Sequence, residues 1–288
     1  MGAGRQYGLL FILPAIIVLA LLIVYPIAYT GLLSVTDEQG NYVGADNYAA
    51  VVGARVTTTA VRNTVYYVGV SIVFQIGLGT LVGILLNQKF RGRAMVRALA
   101  VIPWVIPGIV AATTWAWMFH TEFGIINYML TSAQLVDAPI GWLTGRDTVM
   151  PALIAINAWK LFPFVAVMVL AGLQTVPNEL YESARIDGAN FWQEVRHIML
   201  PQLRAVLTAI TLLLVIWGLN AITIIYTITR GGPANRTLIT PIQIFRYAFE
   251  LFQFNQAAAL SVMFFLVTIV FVAIYIRVFG ASKTGQAT

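Results

Sequence analysis

Six apolar stretches, each long enough to cross a bilayer as a helix, limit what this chain can fold into. A hydrocarbon core of about 30 Å needs about 20 apolar residues in helical form. The stretches are residues 7–33, 63–86, 96–119, 149–170, 206–228 and 257–279. Backbone polar groups need internal partners in lipid, so each stretch is predicted to be helical. The sequence therefore predicts an all-α integral membrane protein with six transmembrane helices.

The composition is that of a membrane protein and not of a soluble domain. Of the 288 residues, 59% are hydrophobic and 10% are charged, whereas about a quarter are charged in soluble domains. The 7–33 stretch is about twice as long as the apolar part of a signal peptide and lacks a small-x-small cleavage motif, so we expect a retained helix. The chain has no cysteine, which excludes disulfides and thiolate metal sites.

The basic residues orient the predicted helices. With the N-terminus inside, the cytoplasmic side carries Arg5, Lys89, Arg91, Arg93, Arg97, Arg185, Arg196, Arg204, Arg277 and Lys283. The opposite side carries six arginines and most of the acidic residues. The positive-inside rule then predicts that both termini are cytoplasmic (N-in/C-in). The net charge of +6 is thus explained by orientation and does not indicate nucleic-acid binding.

The longest polar stretch on the predicted cytoplasmic side is residues 179–204, ELYESARIDGANFWQEVRHIMLPQLR. Glu182, Ala184 and Gly188 form the pattern E-x-A-x-x-x-G, and after nine residues I-x-L-P follows at 198–201. One interpretation is a rigid polar element that projects from the membrane toward a partner. The alternative is an amphipathic helix pair that lies on the membrane without a partner.

The same stretch contains signals for its local structure. Pro177 is expected to help end the preceding helix, and residues 179–186 to form a short helix with acids in its first turn. Gly188 permits a sharp turn that a side chain would obstruct. Residues 191–200 are expected to form a second short helix, with Pro201 at the start of the next transmembrane helix.

The pattern resembles the coupling-loop signature of ABC importer permeases, although Ser183 stands where that family usually has alanine. Other segments are similar to the sugar-importer branch of the family, in this order: LLFILPAIIVLALLIVYPIAY, IPWVIPG, NAWKLFPF, YTITRGGPANRT and FNQAAALSV. The resemblance implies the transmembrane domain of a type I ABC importer. It places Glu182, Ala184, Arg185, Asp187 and Gly188 at the contact with the ATPase.

The resemblance also implies an assembly around the chain. Residues 1–60 would hold the first transmembrane helix and an external linker, and residues 61–281 the importer domain, with its coupling loop at 179–204. The expected partners are a second permease subunit in a heterodimer, two copies of a cytoplasmic ATPase, an extracytoplasmic solute-binding protein, a sugar and membrane lipid. ATP and Mg²⁺ would bind to the ATPase, with no cofactor in this chain. The expected location is the plasma (inner) membrane of a prokaryote.

The substrate path is expected to combine aromatic faces with a few polar groups, which is how proteins bind sugars. Its expected residues are Trp104, Asn157, Trp159, Lys160, Phe164, Asn220 and Tyr226. Most of these, with Gly108 and Leu161, match positions in or beside the substrate site of maltose-type members. Packing of the tryptophans and interhelical hydrogen bonds of the asparagines are the alternatives. On a regular helix Asn157 and Trp159 would not share a face.

Lys160 lies about 16 Å into the fourth stretch, near the bilayer midplane. A lysine there costs about 2.5–3.5 kcal/mol on insertion scales and usually faces a cavity or a partner. Pro107 and Pro163 free the carbonyls of Pro103 and Trp159. The partner of Lys160 is therefore expected to be a freed carbonyl, a residue of the second permease, or the substrate, which could be a neutral or a phosphorylated sugar.

Two other functions compete with import by an ABC system. An intramembrane enzyme needs a nucleophile with its base or a metal cluster, and the histidines are His120, at the outer end of the third stretch, and His197, in the 179–204 stretch. An ion-driven secondary transporter typically shows inverted repeats and intramembrane carboxylates, and neither is visible in the sequence. It stays the alternative function. No Walker motif G-x-x-x-x-G-K-[ST] occurs, so an importer would need a separate ATPase.

Overall fold

The computed structural model describes residues 12–280. Its helices are α1 (Ile12–Leu33), α2 (Asp46–Gly53), α3 (Arg55–Asn87), α4 (Arg93–Val105), α5 (Gly108–Met118), α6 (Ile125–Ser132), α7 (Val149–Leu173), α8 (Asn178–Ile186), α9 (Phe191–Glu194, continuing through a π-helical turn to Gln202), α10 (Arg204–Leu219), α11 (Ile222–Thr229), α12 (Thr240–Phe245, followed by a π-helical turn) and α13 (Phe254–Gly280). Arg5, Lys283 and the start of the first predicted stretch lie outside the described residues.

The all-α prediction is confirmed for residues 12–280, where the only β pairing is the single bridge between Thr36 and Tyr42. Within that range, five helical spans are long and apolar enough to cross a bilayer: α1, α3, α7, α10 with α11, and α13. If the bent pair α4–α5 crosses the bilayer as one span, the described residues contain six spans.

The linker expected between the first transmembrane helix and residue 61 is shorter than predicted. It contains α2, which has Asp46 in its first turn, and the first turns of α3, which begins at Arg55. An acid in the first turn interacts favourably with the helix dipole. The segment after Arg55 has polar residues but no glycine or proline that would end a helix, so its polarity alone was a misleading signal.

The helix expected over 96–119 is broken. Helices α4 and α5 meet at an angle of 95°, with Ile106 and Pro107 between them in extended conformation. A proline disfavours helical conformation in the residue before it and has no N–H to donate. The position of Pro107 therefore explains why α4 ends at Val105.

A second break divides the stretch expected over 206–228. Helix α10 ends at Leu219 and α11 begins at Ile222, with Ala221 outside helical conformation. The Asn220 side-chain amide donates to the Ile216 carbonyl at 2.9 Å. Such local side-chain bonds compete with the helical backbone pattern and favour asparagine at helix ends.

The described residues form two compact units. The first contains residues 12–58 and 243–271, and its core includes Val51, Tyr247 and Leu260. Asn255, at the start of α13, is buried and its amide donates to the carbonyls of Leu33 (3.0 Å) and Thr36 (2.7 Å). This amide provides a donor for carbonyls at and just beyond the C-terminal end of α1.

The second unit contains residues 59–242 and 272–280. Its core joins side chains of α3, α7, α9 and α10: Ile84, Val165, Val169, Leu173, Val195, Met199, Leu203, Ile210 and Leu214. The short helix α9, which follows α8, is thus packed into the same core as the long apolar helices.

Close contact between α3 and α7 depends on two glycines. A Cβ added at Gly79 would overlap the Val165 side chain and the Phe162 carbonyl, and one at Gly83 would overlap Val169 and the Ala166 carbonyl. The G-x-x-x-G spacing places both glycines on one face of α3. Small residues at this spacing let helix backbones approach closely in membranes.

Candidate functional site

The coupling loop expected over 179–204 corresponds to residues 178–204, which are named the coupling segment after that expectation and are built from α8, a tight turn and α9. Helix α8 spans Asn178–Ile186, with Pro177 before it, Glu179 in its first turn and Arg185 in its last. Both charges have the sign that the helix dipole favours at their end. The predicted helix over 179–186 is confirmed.

Gly188 forms the turn after α8 with a positive φ of 81°. Its N–H donates to the Arg185 carbonyl at 3.1 Å, and the N–H of Ala189 donates to the Ala184 carbonyl at 2.8 Å. These two bonds make a Schellman motif, in which glycine is favoured because other residues resist positive φ. A Cβ at Gly188 would meet no atom within 4 Å. The predicted turn is confirmed, but its cause is backbone conformation and not obstruction by neighbouring atoms.

Helix α9 begins with a capping box. The Asn190 side chain accepts from the Gln193 N–H at 3.1 Å, and the Gln193 side chain accepts from the Asn190 N–H at 2.7 Å. The helix then continues through the π-helical turn Val195–Met199, and Pro201 lies in the first turn of its last part. The N-x-x-Q sequence is a recognisable start signal that fixes the beginning of the second short helix expected over 191–200.

The residues expected at the ATPase contact lie together on the coupling segment. Glu182, Arg185, Asp187 and Gly188 are exposed and Ala184 is half-buried. A cavity of about 320 Å³ lies between α8 and α9 and is lined by Ala184, Asp187, Gly188, Ala189, Gln193, Glu194, His197 and Ile198. Contact of this surface with an ATPase stays a prediction.

Glu194 is a residue of this segment that the sequence did not single out. It is 6% exposed, and its Oε1 lies 2.8 Å from the Arg185 Nε. The hydrogen bond to Glu194, followed by the charge of that carboxylate, raises the pKa of Arg185. Burial, followed by the Glu194 charge, raises the pKa of Tyr181. Arg185 thus has a partner within its own chain.

Lys160 lies in the middle of α7 and its ammonium group donates to backbone carbonyls at the α4–α5 break. The acceptors are Ile106 and, at 3.5 Å, Trp104. A freed carbonyl was one of three expected partners, and it is confirmed. The carbonyls differ from the predicted ones of Pro103 and Trp159 because α4 ends at Val105, which leaves its last carbonyls without helical donors. An ammonium group has three donors, so one remains for another acceptor.

Two aromatic residues of α7 near this lysine in the sequence, Trp159 and Phe164, pack against other helices. Phe164 packs against Trp104 with ring centroids 5.6 Å apart and against Trp217 at 4.8 Å. Trp159 instead meets Trp115 of α5 at 5.3 Å in an edge-to-face arrangement. The contacts of Trp115 and Trp217 with predicted path residues were not foreseen, because no sequence pattern indicates which side chain a tryptophan will meet.

The predicted path residues do not all come together. Asn157 is buried, and its carbonyl accepts from the Gln75 side chain of α3 at 3.5 Å, whereas Trp159 faces α5. This agrees with the expectation that two residues two positions apart do not share a helix face. Asn220 is exposed at the α10–α11 break, and Tyr226 of α11 lies beneath the Arg230 guanidinium, 5.9 Å from ring centroid to Cζ.

Of the two histidines, His120 lies apart from these features and His197 belongs to the coupling segment. His120 stacks on Phe123, and His197 is exposed with its Nδ1 3.1 Å from the Gln193 carbonyl. Within residues 12–280, no group of three or more metal-ligating side chains is close enough to hold an ion.

Comparison with known proteins gives consistent matches. Residues 75–282 match the family described as binding-protein-dependent transport system inner membrane component. The chain is 32% identical to the trehalose/maltose transport system permease protein MalF of Thermococcus litoralis, over 95% of this chain and 93% of that protein. It is 30% identical to the sulfoquinovosyl glycerol transport system permease protein SmoG of Agrobacterium fabrum, over 95% and 90%. A chain of the bacterial alginate ABC transporter, solved in complex with an alginate pentasaccharide-bound periplasmic protein, has the same fold, with a TM-score of 0.85 at 22% identity over 95% and 94%.

Proposed function

Because the chain belongs to the family of binding-protein-dependent transport system inner membrane components, we propose that it is the permease subunit of an ATP-driven importer that carries a carbohydrate into the cytoplasm. It is a multi-pass membrane protein and a transport subunit, not an enzyme. ATP and Mg²⁺ would bind to a separate ATPase. A second permease in a heterodimer, two ATPase copies and a solute-binding protein would complete the assembly.

The coupling segment is the observation that carries this proposal. Its helix α8 and the Gly188 turn are exposed, while α9 buries Val195 and Met199 in the core with α7 and α10. A cytoplasmic partner that displaces α8 could therefore also displace helices within the membrane, because closely packed cores transmit strain. A helix pair that only lay on the membrane surface would not need to bury Val195 and Met199 in the core.

The carbohydrate assignment rests on the relatives and on the path residues. The relatives are named for trehalose/maltose and sulfoquinovosyl glycerol transport, and the alginate transporter shares the fold. Trp104, Phe164 and Trp217 offer apolar faces beside Lys160, which retains one donor for a sugar hydroxyl. Asn220 and Tyr226 would add polar groups further along the path.

In the proposed mechanism, a loaded binding protein docks outside and ATP-driven closure of the ATPases displaces the coupling segment. The displacement reaches α7 through the shared core and changes the position of Lys160 against the α4–α5 break. The path then opens outward, and ATP hydrolysis returns it to the inward-open state. Alternating access of this kind needs two discrete packing arrangements and not a continuous deformation.

The test is to purify the tagged chain in mild detergent with its co-purifying proteins and to reconstitute the complex in vesicles. We expect a second permease and an ATPase, with vanadate-sensitive sugar uptake that depends on the binding protein. A lone chain whose uptake continues with vanadate and collapses with an uncoupler would support the ion-driven alternative instead.

A further inference from the structure

Helix α8 is held to the rest of the molecule by few contacts. None of its residues is buried; Tyr181 and Ala184 are half-buried, and Ile186 is 87% exposed. Helix α9, by contrast, contributes two residues to the core. Tyr181 packs against that core, and a polar contact between α8 and α9 adds to this packing.

The Arg185–Glu194 ion pair supplies this polar contact. An open depression of about 320 Å³ lies between α8 and α9. Arg185 reaches from the last turn of α8 to Glu194, which is buried in α9 with a 2.8 Å contact between Nε and Oε1. The Tyr181 hydroxyl is buried nearby and makes no hydrogen bond within residues 12–280. The side chain of Arg185 is 66% exposed and that of Glu194 is 7% exposed, so removing the cation would leave a buried carboxylate unpaired.

We propose that the Arg185–Glu194 ion pair links α8 rigidly to α9, so that the two helices move together and displacement of α8 reaches the transmembrane core. Glu194 is then a positioning residue that acts through Arg185. This assigns Arg185 a role within the chain, in addition to the contact with an ATPase that the resemblance implies. The inference rests on the proposed function, because it needs an ATPase that moves α8.

The test uses the complete importer in vesicles, with uptake and ATP hydrolysis measured on the same preparation. We expect Glu194→Gln to lower the sugar imported per ATP hydrolysed by at least about fivefold. The amount of assembled complex and the hydrolysis rate without binding protein should match the wild type. Arg91→Gln, which removes an exposed cytoplasmic charge outside the coupling segment, serves as the matched control and should transport normally.

A cross-link distinguishes a mechanical role from a folding defect. Because the chain has no cysteine, the double variant Arg185→Cys/Glu194→Cys can be bridged by a short bis-maleimide. We expect uncoupled hydrolysis before cross-linking and recovered uptake per ATP afterwards. Normal coupling in Glu194→Gln, or normal coupling in the double variant before cross-linking, would overturn the proposal. Absence of ATP-driven uptake in the wild-type complex would instead overturn the proposed function.

Discussion

At the scale of single residues, Lys160 is the most informative position within the membrane. Replacing it with methionine keeps an unbranched side chain of similar length but leaves the Ile106 and Trp104 carbonyls without a donor. The variant loses both hydrogen bonds and the remaining donor, and a hydrogen bond to a charged group contributes about 1.5–3 kcal/mol, so we expect Lys160→Met to reduce sugar uptake by about tenfold. Uptake by membrane vesicles, normalised to the assembled complex, measures this. Lys89→Met, in an exposed turn, is the control. Normal uptake with an unchanged range of sugars would remove Lys160 from the path.

Substitutions of Gly188 test whether the positive φ at this position is needed for coupled uptake. A side chain there meets no neighbour within 4 Å, so a substitution acts through its cost at positive φ, about 1–2 kcal/mol for most residues. We expect Gly188→Val to weaken coupled uptake while the protein still inserts in the membrane. Gly188→Asn should retain most of it, because asparagine tolerates left-handed conformation. Uptake per ATP measures the effect, and equal values for both variants would contradict the conformational explanation.

Features of single residues could be predicted from the sequence where they depend on residues nearby in the chain. The positive φ at Gly188 and the end of α8 follow from neighbours along the sequence. Glu194 was not predictable in the same way, because an acid in a polar stretch is usually exposed. Its burial depends on where α9 lies against the core, which the sequence pattern does not encode.

At the scale of helices, length and composition predicted where the apolar spans lie but not how they bend. The predicted stretch 149–170 corresponds to α7, Val149–Leu173. The breaks at Pro107 and Asn220 were missed because hydropathy averages over many residues, whereas a change of direction depends on one or two peptide units. Proline was a visible signal at the first break. At the second, asparagine within an apolar run was the available signal, and it had been assigned to substrate binding.

The contact between α3 and α7 gives a prediction with an internal control. Gly79→Ala and Gly83→Ala each place a methyl group against α7, whereas Gly77→Ala, on the same helix, has nothing within 4 Å. Overpacking typically costs about 1–3 kcal/mol, so we expect the first two variants to lower the thermal stability of the detergent-solubilised complex. Gly77→Ala should leave it unchanged or slightly raised, since alanine favours helix. Equal melting temperatures for all three variants would contradict the close packing of α3 on α7.

At the scale of the whole molecule, topology depends on the bent pair α4–α5. If the pair crosses the bilayer, there are six spans, and the 119–148 loop is external while the coupling segment is cytoplasmic. If the pair returns to the side where it entered, there are five spans and both locations reverse. The 95° bend is compatible with either geometry, but only the first places the coupling segment where an ATPase can reach it.

Single cysteines decide between these topologies, since the chain has none of its own. We introduce them at the exposed positions Glu38, Lys89, Asp137 and Gln202 and label cells with a maleimide that cannot cross the inner membrane. The positive-inside rule predicts labelling of the Glu38 and Asp137 variants in intact cells, and of the Lys89 and Gln202 variants only after permeabilisation. Glu38 and Lys89 flank α1 and α3 and report the same sides in both topologies, so they control for orientation. External labelling at Gln202 with protection at Asp137 would mean that α4–α5 is re-entrant, and it would exclude contact of the coupling segment with a cytoplasmic ATPase.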